Sequence, residues 1–299
     1  MLNGIHFLLT YSCNFECDHC FLYCGPSARG VFSSTQLKEI LADSENIESI
    51  DNVFFEGGEP FLYYPLLVEG IKIARSYDLD VGIVTNAYWA TTYDDALIWL
   101  EPLKQAGVST IGLSDDTFHY GDKVDTPPKN AYKACKSLGI DCNYYCIEAP
   151  TVETLSATSS QKGEPIVGGN TVFKGRAVET LTEGLPSKDW QTFTACKREE
   201  LINPGRVHLD PFGNVHICQG VIIGNVFERP LSEIMKSYEP GNHPIVGPLK
   251  TGGPVALANE LQITHGDRFI DECHFCFTLR KNLVDEFPEQ LGPRQVYGL

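Results

Sequence analysis

From Ile5 to about residue 180 the chain alternates two periodicities. Short apolar, β-rich runs at Ile5–Thr10, Asn52–Phe55, Leu79–Thr85, Val108–Leu113 and Ile140–Ile147, with a weaker one at Pro165–Phe173, read as strands. Between them, Ser34–Ile47, Phe61–Tyr77, Tyr93–Gln105 and Lys129–Leu138 carry the apolar period of amphipathic helices. The first helix opens at Ser33-Ser34-Thr35-Gln36, whose Ser and Thr residues offer capping hydroxyls to its free N–H groups. This alternation predicts parallel β/α units in an α/β fold. About six units are visible, which fits a partial (β/α)6 barrel better than a closed eightfold one.

The pattern breaks at 151–170, a Thr/Ser/Gly-rich stretch that suits a loop or lid, and changes character after Trp190. Residues 206–218 read as a β-hairpin turning at Pro211, Phe212, Gly213 and Asn214. A short helix at 231–238 and a Pro/Gly-rich stretch at 239–254 follow, and no internal repeat is seen at solenoid spacing. The chain therefore divides into a barrel over 1–188 and a small α+β unit over 189–299.

Composition narrows the function. A formal charge of −16 disfavours tracking along nucleic acid, which needs clustered Lys and Arg. No apolar run reaches the ~18 residues that span a bilayer, and the N-terminus lacks the basic region and cleavage site of a signal peptide. A soluble, cytoplasmic protein without nucleic-acid or membrane partners is expected. The 11 cysteines then matter most, because disulfide frameworks belong to small secreted domains.

Cys13, Cys17 and Cys20 follow the first strand directly, in a loop at the C-terminal mouth of the barrel, where such folds carry their chemistry. Thiolates at this spacing suit an iron–sulfur cluster or, with His19 or Cys24 as fourth ligand, zinc; buried thiols are the plain alternative. The C-x3-C-x2-C pattern, with His19 before the last cysteine, resembles the signature loop of the radical S-adenosylmethionine (SAM) superfamily. Gly57, Gly58 and Glu59 end the second strand and resemble that family's SAM-amino-group motif. Thr85 and Asn86 end the third strand, and Ser114 and Asp115 the fourth, where the family places ribose and carboxylate contacts. The resemblance covers about residues 5–180. It implies a [4Fe–4S] cluster on Cys13, Cys17 and Cys20 with one iron free for SAM, reductive SAM cleavage to a 5′-deoxyadenosyl radical, and hydrogen abstraction from a substrate carbon. It also implies an electron donor such as flavodoxin or ferredoxin.

Cys196, Cys218, Cys273 and Cys276 can close either a structural zinc site or a second cluster. The run Lys174-Gly175-Arg176-Ala177, then Cys196, then Asp210 to Cys218, Gly224-Asn225-Val226 and Pro230 to Ile234 resembles the extension of SPASM and twitch radical SAM enzymes. Full SPASM forms carry about seven cysteines, whereas this chain has four, so the shorter twitch form with one auxiliary [4Fe–4S] cluster is implied. The cysteine layout is similar to that of 2-deoxy-scyllo-inosamine dehydrogenases, a likeness that does not extend to substrate.

Cys142 and Cys146 share a strand face with Tyr144. If that face lines the barrel, Cys146 is a candidate catalytic hydrogen-atom donor; otherwise it is a packed thiol. Residues 114–119 offer either a substrate site or a helix cap and surface loop, Cys135 reads as core, and His208 and His216 read as surface groups or supports for ligands. The expected substrate is a small molecule undergoing oxidation, with a ribosomally made peptide as the alternative; no obvious spare segment for a peptide leader leans toward the first. A non-catalytic iron–sulfur or zinc protein is the distant reading.

Overall fold

The computed structural model, which describes residues 1–155 and 163–299, sets five parallel strands side by side in chain order. In the first part β1 (Gly4–Thr10), α1 (Ser34–Asp43), β2 (Asn52–Gly57), α2 (Tyr64–Ser76), β3 (Asp80–Thr85), α3 (Tyr93–Ala106), β4 (Thr110–Leu113), a short α4 (Thr117–Tyr120), α5 (Pro127–Leu138) and β5 (Asp141–Tyr144) alternate as expected. Ser33 caps α1 in a capping box, its side chain accepting from Gln36 N while Gln36 reaches back to the cap backbone. Next come β6 (Thr151–Thr154), β7 (Pro165–Gly168), α6 (Ala177–Thr180) and β8 (Lys188–Asp189). The last part holds β9 (Arg206–Leu209), β10 (Asn214–Cys218), β11 (Val221–Asn225), α7 (Leu231–Ser237), α8 (Val246–Glu260), β12 (Arg268–Phe269) and α9 (Glu272–Leu283).

The main sheet runs β11-β10-β9-β1-β2-β3-β4-β5, so the C-terminal hairpin extends the barrel sheet through a parallel β1–β9 pair. Val207, Leu209, Val215, Leu231 and Ile234 join the barrel core, while Phe193, Ile217, Leu257 and Phe275 belong to a second core built from the chain after residue 190. The 189–299 segment thus packs a core of its own and also completes that of the barrel.

The strand expected at Pro165–Phe173 does not continue the barrel. Its first residues form β7, which pairs antiparallel with β6 in a separate two-stranded ribbon. Pro165 opens β7, where its missing N–H deprives no ladder. The middle of the expected loop or lid, residues 156–162, lies outside the described residues. The Pro/Gly-rich stretch at 239–254 conceals half a helix: α8 begins at Val246 and kinks where Gly252 and Gly253 leave helical geometry. Gly253 has φ +63°, and a Cβ there would lie 2.3 Å from Ala195 N, so close backbone approach requires the glycine. Pro254 then begins the second half.

Strand parity fixes what the barrel interior sees. Ile5, Phe7, Leu9, Val53, Phe55, Val81, Ile83, Ile111, Leu113 and Cys142 are in the core under the helices. The alternate positions, among them His6, Leu8, Phe54, Glu56, Val84, Gly112, Asn143 and His208, therefore face the lumen. Rings fill part of it. A Cβ at Gly82 would meet Phe54 at 2.3 Å, and one at Gly112 would meet Tyr145 at 2.0 Å.

Candidate active site

β1 ends at Thr10, and the loop that follows is tied across its base by Cys13 N to Gly25 O at 3.1 Å and turns internally on Cys20 N to Cys17 O at 3.0 Å. Arg176 clasps it from the other side, donating from Nη1 to Cys17 O at 2.7 Å and from Nη2 to Cys24 O at 2.9 Å. Its own N–H donates to Cys20 O at 2.9 Å. Gly175, with φ +64°, lets this clasp close: a Cβ there would sit 2.4 Å from Phe21 Cα. The loop is thus held by the backbone and Arg176, which leaves Cys13, Cys17 and Cys20 to face one cavity of about 150 Å³. His19, Gly57, Gly58, Thr85, Asn86 and Ser114 line the same cavity. Burial pushes the Cys13 thiol up to about 12, whereas a hydrogen bond from Cys24 brings Cys20 down to about 6. Loading a thiolate-held cluster therefore releases protons, chiefly from Cys13 and from Cys17, which burial also raises.

Gly57 and Gly58 are glycines because the end of β2 crosses this loop. Cβ atoms would lie 2.5 Å from Thr10 O and 2.1 Å from Ser12 O, and Gly58 N and Glu59 N donate to Thr10 O and Ser12 O at 2.7 and 2.9 Å. Glu59 is fully buried and does not line the cavity. Its Oε1 accepts from Phe61 N at 3.0 Å and the Thr85 hydroxyl at 2.8 Å, and its Oε2 accepts from Asn86 N at 2.8 Å. Burial raises its carboxyl to about 7 against these donors. Glu59 is the strut that aims Asn86, whose Nδ2 donates to Asn14 Oδ1 at 2.9 Å and approaches Cys13 Sγ at 3.8 Å. Glu59→Gln sets an amide N–H₂ against these donors, and is expected to lower stability by ~1–3 kcal/mol and to weaken SAM binding through Asn86. Thermal denaturation and SAM titration check this. An unchanged melting temperature with a tenfold affinity loss would instead place Glu59 in direct contact with SAM.

On the far wall, Asp116 caps α4, accepting from Phe118 N and His119 N, and its Oδ1 lies 2.7 Å from His119 Nδ1. His19 packs against Phe118 with ring centroids 4.6 Å apart, and its Nδ1 is buried without a partner. An unpaired buried nitrogen beside four thiols that line one cavity, Cys24 with Cys13, Cys17 and Cys20, is the signature of a site shaped around a bound group.

Residues 7–144 match the family model described as the Radical SAM superfamily. They form a radical SAM domain. Two curated relatives match shorter stretches. The putative peptide biosynthesis protein YydG of Bacillus subtilis (strain 168) is 24% identical over 111 residues, 37% of this chain and 35% of that one. An S-adenosylmethionine-dependent nucleotide dehydratase of Fibrobacter sp. (strain UWH6) is 27% identical over 126 residues, 40% of this chain and 35% of that one. The chain thus spans about a third of the length of the curated relatives it matches. Among solved structures, BtrN in complex with AdoMet and 2-DOIA shares the fold, with a TM-score of 0.50, 14% identity and coverage of 78% of this chain and 82% of that one. Radical SAM domains use SAM and a [4Fe–4S] cluster, and the three thiols, the unpartnered His19 nitrogen and the strand-end polar groups of the cavity fit both.

The second thiol set also converges. Cys273 and Cys276, one turn apart on α9, meet Cys196 and Cys218 around a cavity of about 30 Å³. Two buried cations border it. Lys174 Nζ donates to Gln219 Oε1 at 2.8 Å and lies 3.4 Å from Glu199 Oε1. Arg280, 2% exposed, has no carboxylate partner among the described residues: its Nη1 donates to Gln219 O and the Tyr297 hydroxyl, and its Nε has no acceptor. A guanidinium left unpaired in the interior would be costly, and an anionic thiolate cluster in this cavity supplies the missing counter-charge. The residues fit such a group.

Several sequence expectations land elsewhere. The face shared by Cys142 and Tyr144 turns toward α5: Cys142 is core, and Tyr144 stacks on Tyr132 at 5.0 Å. Cys146 follows the strand end and is exposed, its thiol donating to Asp115 O at 3.0 Å, outside the thiol cavity. Ser114 reaches the cavity and Asp115 does not. His208 and His216 are not at the surface: they are 5% and 1% exposed, because the hairpin joins the barrel sheet instead of standing free. His216 Nε2 lies 3.0 Å from the buried Asp210 Oδ2, which also accepts from the Tyr11 hydroxyl at 3.1 Å and ties the hairpin turn to β1. His6, Glu56 and Arg280 escaped sequence reasoning, since each sits singly in an unremarkable context.

Proposed function

We propose that this protein is a radical SAM enzyme that abstracts a hydrogen atom from a small-molecule substrate and oxidises it, with a second, auxiliary [4Fe–4S] cluster taking up the remaining electron. Cys13, Cys17 and Cys20 hold the SAM-binding cluster; Cys196, Cys218, Cys273 and Cys276 hold the auxiliary one. When bound, the first cluster supplies one electron to the SAM sulfonium and so yields a 5′-deoxyadenosyl radical. The chain's own residues do the rest. Asn86, Thr85, Ser114 and the glycine turn shape the SAM cavity, Arg176 fixes the thiol loop, and the ring-filled lumen shields the reacting centre from water. We place the enzyme in the cytoplasm, with a flavodoxin or ferredoxin as electron donor.

The observation that carries the auxiliary role is the bridge between the two thiol sets. Arg176 holds the carbonyls of Cys17 and Cys24, while two residues earlier Lys174 borders the second thiol cavity. Three consecutive residues therefore run from one site to the other, with hydrogen bonds to the thiol loop at one end. Full thiolate ligation leaves no iron for substrate, which supports electron transfer. Buried Lys174 and Arg280 favour the reduced, more negative cluster. Arg280→Gln is expected to shift the auxiliary midpoint to lower potential by at least one tenfold in equilibrium, ~59 mV for one electron. Arg280→Lys should retain most of the wild-type value. Redox titration followed by electron paramagnetic resonance reads both.

The name of the YydG relative supports a second reading, modification of a ribosomally made peptide. In a redox-neutral outcome of that kind the substrate radical regains a hydrogen atom, from 5′-deoxyadenosine or from a thiol, and for Cys146 to supply it the loop after β5 would have to carry it inward. Deuterium transfer from labelled candidate substrates into 5′-deoxyadenosine distinguishes the two readings. Anaerobic reconstitution tests the shared core: about eight irons with matching sulfide per chain are expected.

A further inference from the structure

Three adjacent parallel strands carry one polar side chain each into the barrel lumen, Glu56 two register positions beyond the His6–His208 pair and reaching back to it. His6 on β1 stands directly opposite His208 on β9, and Glu56 projects from β2. His6 Nδ1 lies 3.3 Å and His208 Nε2 3.1 Å from the same carboxylate oxygen, Glu56 Oε1, and the three donor atoms all fall within 4.8 Å of one another. We propose that His6 Nδ1, Glu56 Oε1 and His208 Nε2 form a binding site for one divalent first-row metal ion beside the thiol cavity.

Geometry is the first ground. Ligands ~2.0–2.1 Å from a tetrahedral ion stand ~3.3–3.4 Å apart, close to the two separations seen here. The rings are also fixed in place. His6 stacks on Phe54 with centroids 4.8 Å apart, and the two imidazoles meet at 5.0 Å and 60°. Strands hold such a constellation more rigidly than loops do.

Proton accounting is the second ground. Lys174 donates to Gln219 Oε1 at 2.8 Å, which turns the Gln219 N–H₂ toward His208 Nε2, 3.4 Å away. His208 Nε2 therefore faces a donor on one side and the acceptor Glu56 Oε1 on the other. If it carries a proton, it satisfies the carboxylate, meets the amide N–H₂ head-on and leaves Nδ1 bare; if it does not, two acceptors oppose each other. His208 Nδ1 is buried without a partner in either case. A cation among the three atoms lets the imidazole lone pairs and the carboxylate point at one positive centre.

Charge is the third. Among the described residues, Glu56 has only the two imidazoles as ion-pair partners. A carboxylate in the lumen with no Lys or Arg beside it attracts a cation. Of the three, Glu56 also lines the cavity of Cys13, Cys17 and Cys20, so an ion held here would lie beside that cavity. A two-imidazole, one-carboxylate set suits Zn²⁺, Fe²⁺ or Mn²⁺.

The test uses the full chain with its iron–sulfur content reconstituted and loosely bound divalent ions removed. Mn²⁺ is the probe, since as a harder cation it favours carboxylate over thiolate and so competes little for the free cysteines. Titration followed by the resonance of free Mn²⁺ should show about one ion bound per chain, at least tenfold more weakly in His6→Gln, Glu56→Gln and His208→Gln. Iron and sulfide content should stay at the wild-type level. His6, at the edge of the lumen, is the deciding position should the buried His208 variant lose iron through misfolding. Absence of Mn²⁺ binding to the wild type overturns the site, as does a His6→Gln protein that binds Mn²⁺ as tightly as wild type. Neither outcome bears on SAM cleavage, so the metal site stands or falls apart from the radical chemistry.

Discussion

Replacing Cys13, Cys17 and Cys20 together by Ala is expected to remove about half of the bound iron and to bring SAM cleavage below detection. The loop that carries these thiols is not folded by them. Its carbonyls are held by Arg176, its ends by Gly25 and Thr10, and its neighbour Asn14 by Asn86. Truncating three small side chains that border a cavity removes little packed volume, so the loss of stability should be modest and the second thiol set, on α9, β10 and the segment before β9, should keep its iron. A near-complete loss of turnover with about four irons retained is the predicted pattern, read by iron and sulfide analysis and by chromatography of 5′-deoxyadenosine. Loss of all iron would mean that the two sites assemble as one unit.

The second large effect concerns the auxiliary thiols. Two-electron oxidation of a substrate carbon proceeds by loss of a hydrogen atom to the 5′-deoxyadenosyl radical, which leaves a carbon radical holding one surplus electron. On the proposed function, the site of Cys196, Cys218, Cys273 and Cys276 would hold the oxidised cluster that accepts this electron, while a proton would leave to bulk solvent or a neighbouring base. Cys273→Ala with Cys276→Ala removes the acceptor. SAM cleavage should persist within a few-fold, while oxidised product falls by at least a hundredfold. The core around α9 rests on Phe275, Phe277 and Leu279, all buried and untouched by the change. Circular dichroism and limited proteolysis should therefore show a folded protein. A folded double variant that forms oxidised product at the wild-type rate would rule out the electron-acceptor role.

The sequence made the barrel readable because each β/α unit buries its strand on the helix side and presents alternating residues, a period visible in a single chain. It made the thiol loop readable because three cysteines at fixed spacing follow a strand end. What it hid depends on contacts between distant segments. Glu59 has the appearance of a ligand-binding carboxylate until Phe61, Thr85 and Asn86 are seen to occupy it. Strand parity puts Cys146 on the face of Cys142 only if the strand continues past Tyr144, where it stops. His208 looked like a turn-flanking surface residue because nothing local reveals that β9 pairs with β1, 200 residues earlier. The same long-range pairing creates the His6–Glu56–His208 cluster, and no motif scan of neighbouring residues could bring those three together. The expected sixth barrel strand failed for a similar reason: its local β-propensity was satisfied by β6 instead of by the sheet edge.

The most direct test of the account is reductive cleavage of SAM by the anaerobically reconstituted protein. With dithionite or reduced flavodoxin as electron source, the account predicts 5′-deoxyadenosine and methionine in equal amounts, dependent on iron and absent from the Cys13/Cys17/Cys20 variant. Anaerobically isolated protein that holds stoichiometric zinc without iron, and yields no 5′-deoxyadenosine after reduction, would contradict it.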